Sequence, residues 1–172
     1  KVELKQFFKI VQNKLHYAAH GHTAAEVIYE RADADKPFMG LTTFAGDFPT
    51  KNEVTVAKNY LNEDELKVLN NLVSGYFDFA EIQAIRHKPM YMADYIQQLD
   101  NILSTTGEKL LTDSGSITHK RAEEKAIAEY VTVVKATPSL QSHIIQVLQT
   151  ALSHRESRIR KQALAALETL LP

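Results

Sequence analysis

The chain has 172 residues, with 20 Lys and Arg against 21 Asp and Glu and a net charge of -1, so it does not rely on global attraction to nucleic acid or to an anionic membrane. Its 44% hydrophobic and 24% charged residues exclude a disordered chain. The absence of cysteine excludes disulfides, thiol catalysis and cysteine-ligated zinc or iron–sulfur sites. No apolar run approaches the roughly 20 residues of a membrane span. The chain opens at Lys1 without a Met or a leader-like segment, as expected of a piece of a longer, cytoplasmic protein.

Helical periodicity is the dominant pattern. Leu4, Phe7, Phe8, Val11, Leu15 and Ala18 recur at three- and four-residue steps and predict a first helix with one apolar face, Lys1, Lys5 and Lys9 lying on the other. Gly21 ends it, and Thr23 with Glu26 three residues later forms a capping box for a second helix reaching about Arg31. The pattern then collapses from Ala32 to about Asn52, a long connection holding Pro37, Gly40, Gly46 and Pro49. Within and just beyond it, Leu41–Phe44 and Glu53–Val56 have the composition of a short two-stranded ribbon.

Asn62 and Glu65 repeat the cap signature ahead of a long third helix through Leu66, Leu69, Val73, Tyr76, Phe77, Ala80 and Ala84, stopping before Pro89. A fourth helix uses Met92, Tyr95, Ile96, Leu99, Ile102 and Leu103 and ends near Gly107. After a polar break at Thr112–Ser116, a fifth runs from about Thr118 to Pro138, with Ile127, Tyr130, Val131 and Val134 inward. The Tyr and Phe residues fall mostly on these apolar stripes and read as core. Leu140, Ile144, Leu148 and Ala151 mark a sixth helix, and a turn at His154–Ser157 leads to a seventh carrying Ile159, Ala163, Ala166 and Leu167. That last pair is similar to a single HEAT-type unit, which cannot bury its own apolar face alone. The expected fold is all-α: a helical bundle over residues 1–136 with a long loop between helices two and three, and a HEAT-like hairpin over 137–172 packed on it or on a partner copy.

Four groups of residues could carry chemistry. His16 and His20 stand four apart on one helical face, with His22, Glu26 and Glu30 close in sequence. If the first two helices form a hairpin, His16, His20, His22 and Glu26 could hold a divalent metal that activates water, with His16, Glu26, Glu30 and Arg31 as catalytic candidates. The plainer reading makes His20 and His22 turn residues and Glu26 a cap. Second, Arg31, Asp33, Lys36 and Gly40, with Lys58 and Asn59 returning after the loop, could bind a phosphate or carboxylate; otherwise Arg31 pairs with a neighbouring carboxylate and Gly40 makes a turn. Third, Asp78 and Glu81, with Arg86 and His87 further along the long helix, are paired carboxylates or a solvated stripe. Fourth, Arg155, Arg158, Arg160 and Lys161, beside His154, open the last helix against its dipole and would suit a nucleic-acid backbone or a neighbouring carboxylate. No phosphate loop, G-x-G-x-x-G, H-E-x-x-H or G-x-S-x-G occurs. A His-Pro-Phe motif is also missing, which disfavours nucleotidyl transfer of the Fic type.

Phe7-Phe8, Val11–Ala18, Gly21, Thr23–Glu26, Tyr29–Asp33, Lys36-Pro37, Met39–Thr43, Val56–Leu61 and the segment Ala80-Glu81 to Met92 together resemble the RhuM family of bacterial virulence-associated proteins. The likeness spans about residues 5–130 and does not reach the segment after Pro138. It implies a partner to this segment in the family's two-part proteins, a DNA-binding-like region on its N-terminal side, through which nucleic acid would be contacted. The chain is therefore expected to be an interaction or oligomerisation domain of a virulence-associated, DNA-linked regulator, with a protein partner or a second copy of itself and no membrane. A small metal-assisted hydrolase or nuclease is the alternative.

Overall fold

The computed structural model describes residues 2–170; Lys1, placed by periodicity on the polar face of the first helix, lies outside the described residues. Seven helices follow one another without a strand among the described residues: α1 (Val2–His20), α2 (Ala24–Arg31), α3 (Glu63–Ile85), α4 (Met92–Thr105), α5 (His119–Ala136), α6 (Pro138–Leu152) and α7 (Ser157–Leu170). None is long and apolar enough to cross a membrane.

The starts of three helices are set by their caps. Thr23 and Asn62 each accept the amide three residues on, while Glu26 and Glu65 reach back to the cap amides. Thr118 does the same for the Arg121 amide at α5. α1 is the central element. It packs on α2, α3 and α4, α2 lies against α5, and α6 and α7 lie against each other and touch α5. The core fills with Val11, Leu15, Ile28, Met39, Tyr60, Leu69, Leu99, Leu103, Ala126 and Val134, and Leu140, Ile144 and Leu148 of α6 extend it. Burying one such aliphatic side chain contributes about 1.5–3 kcal/mol.

Between α2 and α3 the ribbon expected at Leu41–Phe44 and Glu53–Val56 does not form. The chain instead makes three short 3-10 turns, Pro37–Gly40, Glu53–Thr55 and Ala57–Tyr60. Phe38, Met39 and Gly40, just before Leu41–Phe44, all have positive φ (51°, 57° and 83°). The two segments are nevertheless tied down. The Thr42 amide and hydroxyl donate to the Asn59 carbonyl at 2.7 and 3.0 Å, and the same hydroxyl lies 2.6 Å from the Leu61 carbonyl. The Glu53 carboxylate receives the amides of Ala45 and Thr50 and the Thr50 hydroxyl.

The apolar stripes are only partly inward. Leu4 and Phe8 at the start of α1 are exposed, and Phe77 of α3, expected in the core, is 64% exposed. Phe38 and Tyr91 also face solvent.

Candidate functional site

Helical spacing brings His16 and His20 together as the sequence requires: Nδ1 of His16 lies 3.0 Å from Nε2 of His20. His22 folds back across the turn, its Nδ1 donating to the His20 carbonyl at 3.0 Å and its Nε2 lying 3.1 Å from the Glu30 carboxylate. His16 is only 5% exposed. Burial pulls the pKa of both His16 and His20 down to about 4, helped at His20 by His16, Arg31 and His22 and opposed by Glu65. The Nδ1 of His20 is buried without a partner.

Glu26 leaves this group. One of its oxygens accepts the Thr23 amide at 2.8 Å, and the other accepts both the amide and the hydroxyl of Ser116 at 2.7 Å. Although burial opposes it, these bonds from Thr23 and Ser116 hold the carboxyl pKa at about 2. The carboxylate therefore caps α2 and tethers the turn before α5. Among the described residues, no three His, Asp or Glu are gathered as metal ligands.

Arg31 is likewise occupied. Its two terminal nitrogens form a bidentate pair with the Glu65 carboxylate at 2.7 and 2.6 Å, and one also donates to the Tyr60 carbonyl at 2.8 Å. The hydrogen bonds from Arg31 draw the Glu65 pKa down to about 2 against its burial. One ion pair thus fastens the end of α2 to the start of α3 and to the turn between them. Nothing in the sequence singles out Glu65 as the partner beyond its place in a capping box.

The rest of the proposed anion group disperses. Asp33 receives the Asp35 amide and sits 3.6 Å from Lys36 at the surface. A Cβ on Gly40 would collide with the Arg31 carbonyl oxygen, so its missing side chain serves contact within the chain. Asn59 is buried, its amide donating to the Glu53 carbonyl at 2.9 Å. Lys58 is exposed and faces a different cleft. Asp78, Glu81, Arg86 and His87 are all exposed on or just beyond α3. In the basic cluster, Arg160 donates to the carbonyls of His154 and Arg155 at 2.7 and 2.9 Å and closes the turn between α6 and α7. Arg155, Arg158 and Lys161 are exposed.

A surface that the residue groups did not include is the outer side of α3. This helix has 23 residues but only Leu69 and Tyr76 are buried. Apolar positions nevertheless cover more than half its circumference. Val68, Leu72, Gly75, Phe79 and Ile82 follow one another at steps of four, three, four and three residues, the spacing of a helix–helix seam. Val68, Gly75 and Ile82 are exposed, Leu72 and Phe79 half-buried. Phe77 and Ile85 on α3, Phe8 on α1 and Tyr91 before α4 add further exposed apolar area. The seam was readable in the sequence as a second periodicity beside the core stripe of Leu66, Leu69, Val73, Tyr76 and Ala80.

No curated protein and no solved structure matches the chain. A family model does: that of the Virulence protein RhuM family matches residues 1–139. The match takes in α1 to α5, the loop between α2 and α3, and every residue of the histidine, arginine and α3 groups, and it ends as α6 begins. The chain belongs to the virulence protein RhuM family, whose name marks a general virulence-related role.

Proposed function

We propose that this chain is an oligomerisation module that pairs with a second copy of itself through the outer face of α3. The observation that carries the reading is the self-complementarity of that face about Gly75. A two-fold pair uses the same patch on both copies, so the patch must match itself when reversed. Val68 and Ile82 each stand seven residues from Gly75, with Leu72 and Phe79 between. In an antiparallel pair crossing at Gly75, Val68 of one copy meets Ile82 of the other. Asp64 and Arg86, each eleven residues out, then oppose one another. Neither of these side chains makes an ion pair or hydrogen bond within the described chain.

Gly75 supports the crossing point. A glycine inside a helix costs about 1 kcal/mol relative to alanine. A Cβ there would have nothing within 4 Å, so no contact within the chain calls for its absence. Close approach of a second helix backbone does. At 1.5 Å per residue the helix is about 34 Å long, enough for a continuous seam.

Light scattering over a concentration series tests the pairing. The dimer fraction is expected to rise with concentration and to fall sharply in Val68→Glu and Gly75→Leu. Arg86→Asp weakens association, and Asp64→Arg in the same chain restores it, because the opposed charges are exchanged together. A monomer throughout the series, or a double exchange no better than the single change, overturns the reading.

A further inference from the structure

A cleft of about 720 Å³ opens between the polar side of α1, the α2 helix, the turn at Thr55–Lys58 and the start of α5. Its size falls in the range of small-molecule sites. Lys9, Gln12, Asn13 and His16 reach it from successive turns of α1, Lys58 from the loop and His119 from the first position of α5. No Asp or Glu lines it. The side chains of Lys9, Gln12, Asn13, Lys58 and His119 make no hydrogen bond or ion pair elsewhere in the described chain. Their freedom contrasts with Lys14, on the same helix, which is held by Asp100 and by the Leu111 carbonyl at 2.8 and 3.1 Å.

His16 adds the most specific feature. The ring is 5% exposed and contributes to the wall of the cleft. His20 occupies its Nδ1, which leaves Nε2 as the nitrogen available to a ligand. Two tautomers fit that contact. If His16 donates to His20, the buried Nδ1 of His20 must carry a hydrogen that has no acceptor. If His20 donates instead, that Nδ1 is a bare acceptor and His16 carries its hydrogen on Nε2. The second arrangement avoids a buried, unmet donor, which is the costlier fault, and it offers an N–H to the cleft. Both rings remain neutral at pH 7, so this donor persists without adding a buried charge.

The first amides of α5 have no intrahelical acceptors and carry the positive end of the helix dipole. Ile28, Val56 and Leu69 add apolar groups to the lining. The Glu26 carboxylate comes close to Gly115 at the edge of the cleft, and its oxygens are bound to Thr23 and Ser116.

We propose that this cleft binds a small organic phosphate, its phosphoryl group held by Lys9, Lys58, the His16 imidazole and the start of α5, and its organic body against Ile28 and Leu69. The two lysines act as point charges on the oxygens, and the amides of Gln12 and Asn13 supply further donors.

Calorimetric titration of the full chain tests this with adenosine 5′-monophosphate, ribose 5-phosphate, adenosine and ribose. Binding of either phosphate ester without binding of its phosphate-free counterpart is expected, and which ester binds tells a nucleotide from a sugar phosphate. Lys9→Ala and Lys58→Ala should each weaken that binding by about tenfold, the loss of one charge-assisted hydrogen bond. Both lysines are exposed, so the variants should unfold at the parent temperature. Gly115 and His119 amide signals should move on titration in the parent. Binding that ignores the phosphate, binding unchanged in the double lysine variant, or no binding of either ester overturns the proposal.

Discussion

α2 and α3 meet at the Arg31–Glu65 pair and treat their side chains in opposite ways. α2 is eight residues long and buries Ala25, Val27 and Ile28. Its polar groups are nearly all engaged: Glu26 with Ser116, Arg31 with Glu65, and Tyr29 with Lys125 through its carbonyl and with Arg121 through its hydroxyl. α3 is 23 residues long, buries two, and leaves Val68, Phe77, Ile82 and Ile85 in solvent. A helix that short is stable only through what it packs against. One as long as α3 can be anchored by its first turns and one stripe, with an apolar side to spare. The difference separates what holds this fold together from what is available to another molecule.

Substitutions of the same chemistry in the two helices should break or sharpen that contrast. Ile28→Ala removes a side chain that is 2% exposed and should lower stability by about 2–5 kcal/mol in urea unfolding. Next, Glu65→Gln keeps the shape but leaves the Arg31 guanidinium facing a neutral amide, with an expected loss of about 2 kcal/mol. If that variant unfolds like the parent, the two helices are not fastened as described.

Acidification gives a smaller and graded effect. His16 and His20 titrate near 4 in the fold and near 6.5 when unfolded. Between these values the unfolded chain binds more protons, so stability is full above pH 6.5 and declines as pH falls toward 4. Glu26 and Glu65, drawn down to about 2 in the fold, extend the loss below about 4.5. Thermal unfolding should drop by several degrees between pH 7 and 5, and His20→Gln should flatten that part of the profile. The smallest effect belongs to Ile85→Ala, at a position 68% exposed, which should leave monomer stability within about 0.5 kcal/mol.

Where short-range rules govern, the fold was legible. Thr23 with Glu26 and Asn62 with Glu65 fixed the starts of α2 and α3, and the break at His154–Ser157 separated α6 from α7. Periodicity failed at Leu4, Phe8 and Phe77, because it tells which residues share a face and not whether a neighbour covers it. The ribbon failed where Glu53–Thr55 turns as a 3-10 helix and Thr42 bonds to Asn59 beyond it, pairings no local pattern encodes. Of the candidate groups, spacing alone told that His16 and His20 touch. Glu26 was drawn away by Ser116, 90 positions on, and Arg31 by Glu65, 34 positions on. Such long-range partners decide whether an ionisable residue is structural or available.

The Glu53 clasp has an evolutionary corollary. One carboxylate receives backbone groups from Ala45 and Thr50, so the stretch between them has a fixed span. Adding or deleting a residue at 46–49 would pull one end off its acceptor, and selection should resist changes of length there. The joint at His87–Met90 has no comparable carboxylate gripping both its ends, and its residues are largely exposed. Natural insertions, and tags or sensor domains placed by an engineer, are better accommodated at that joint.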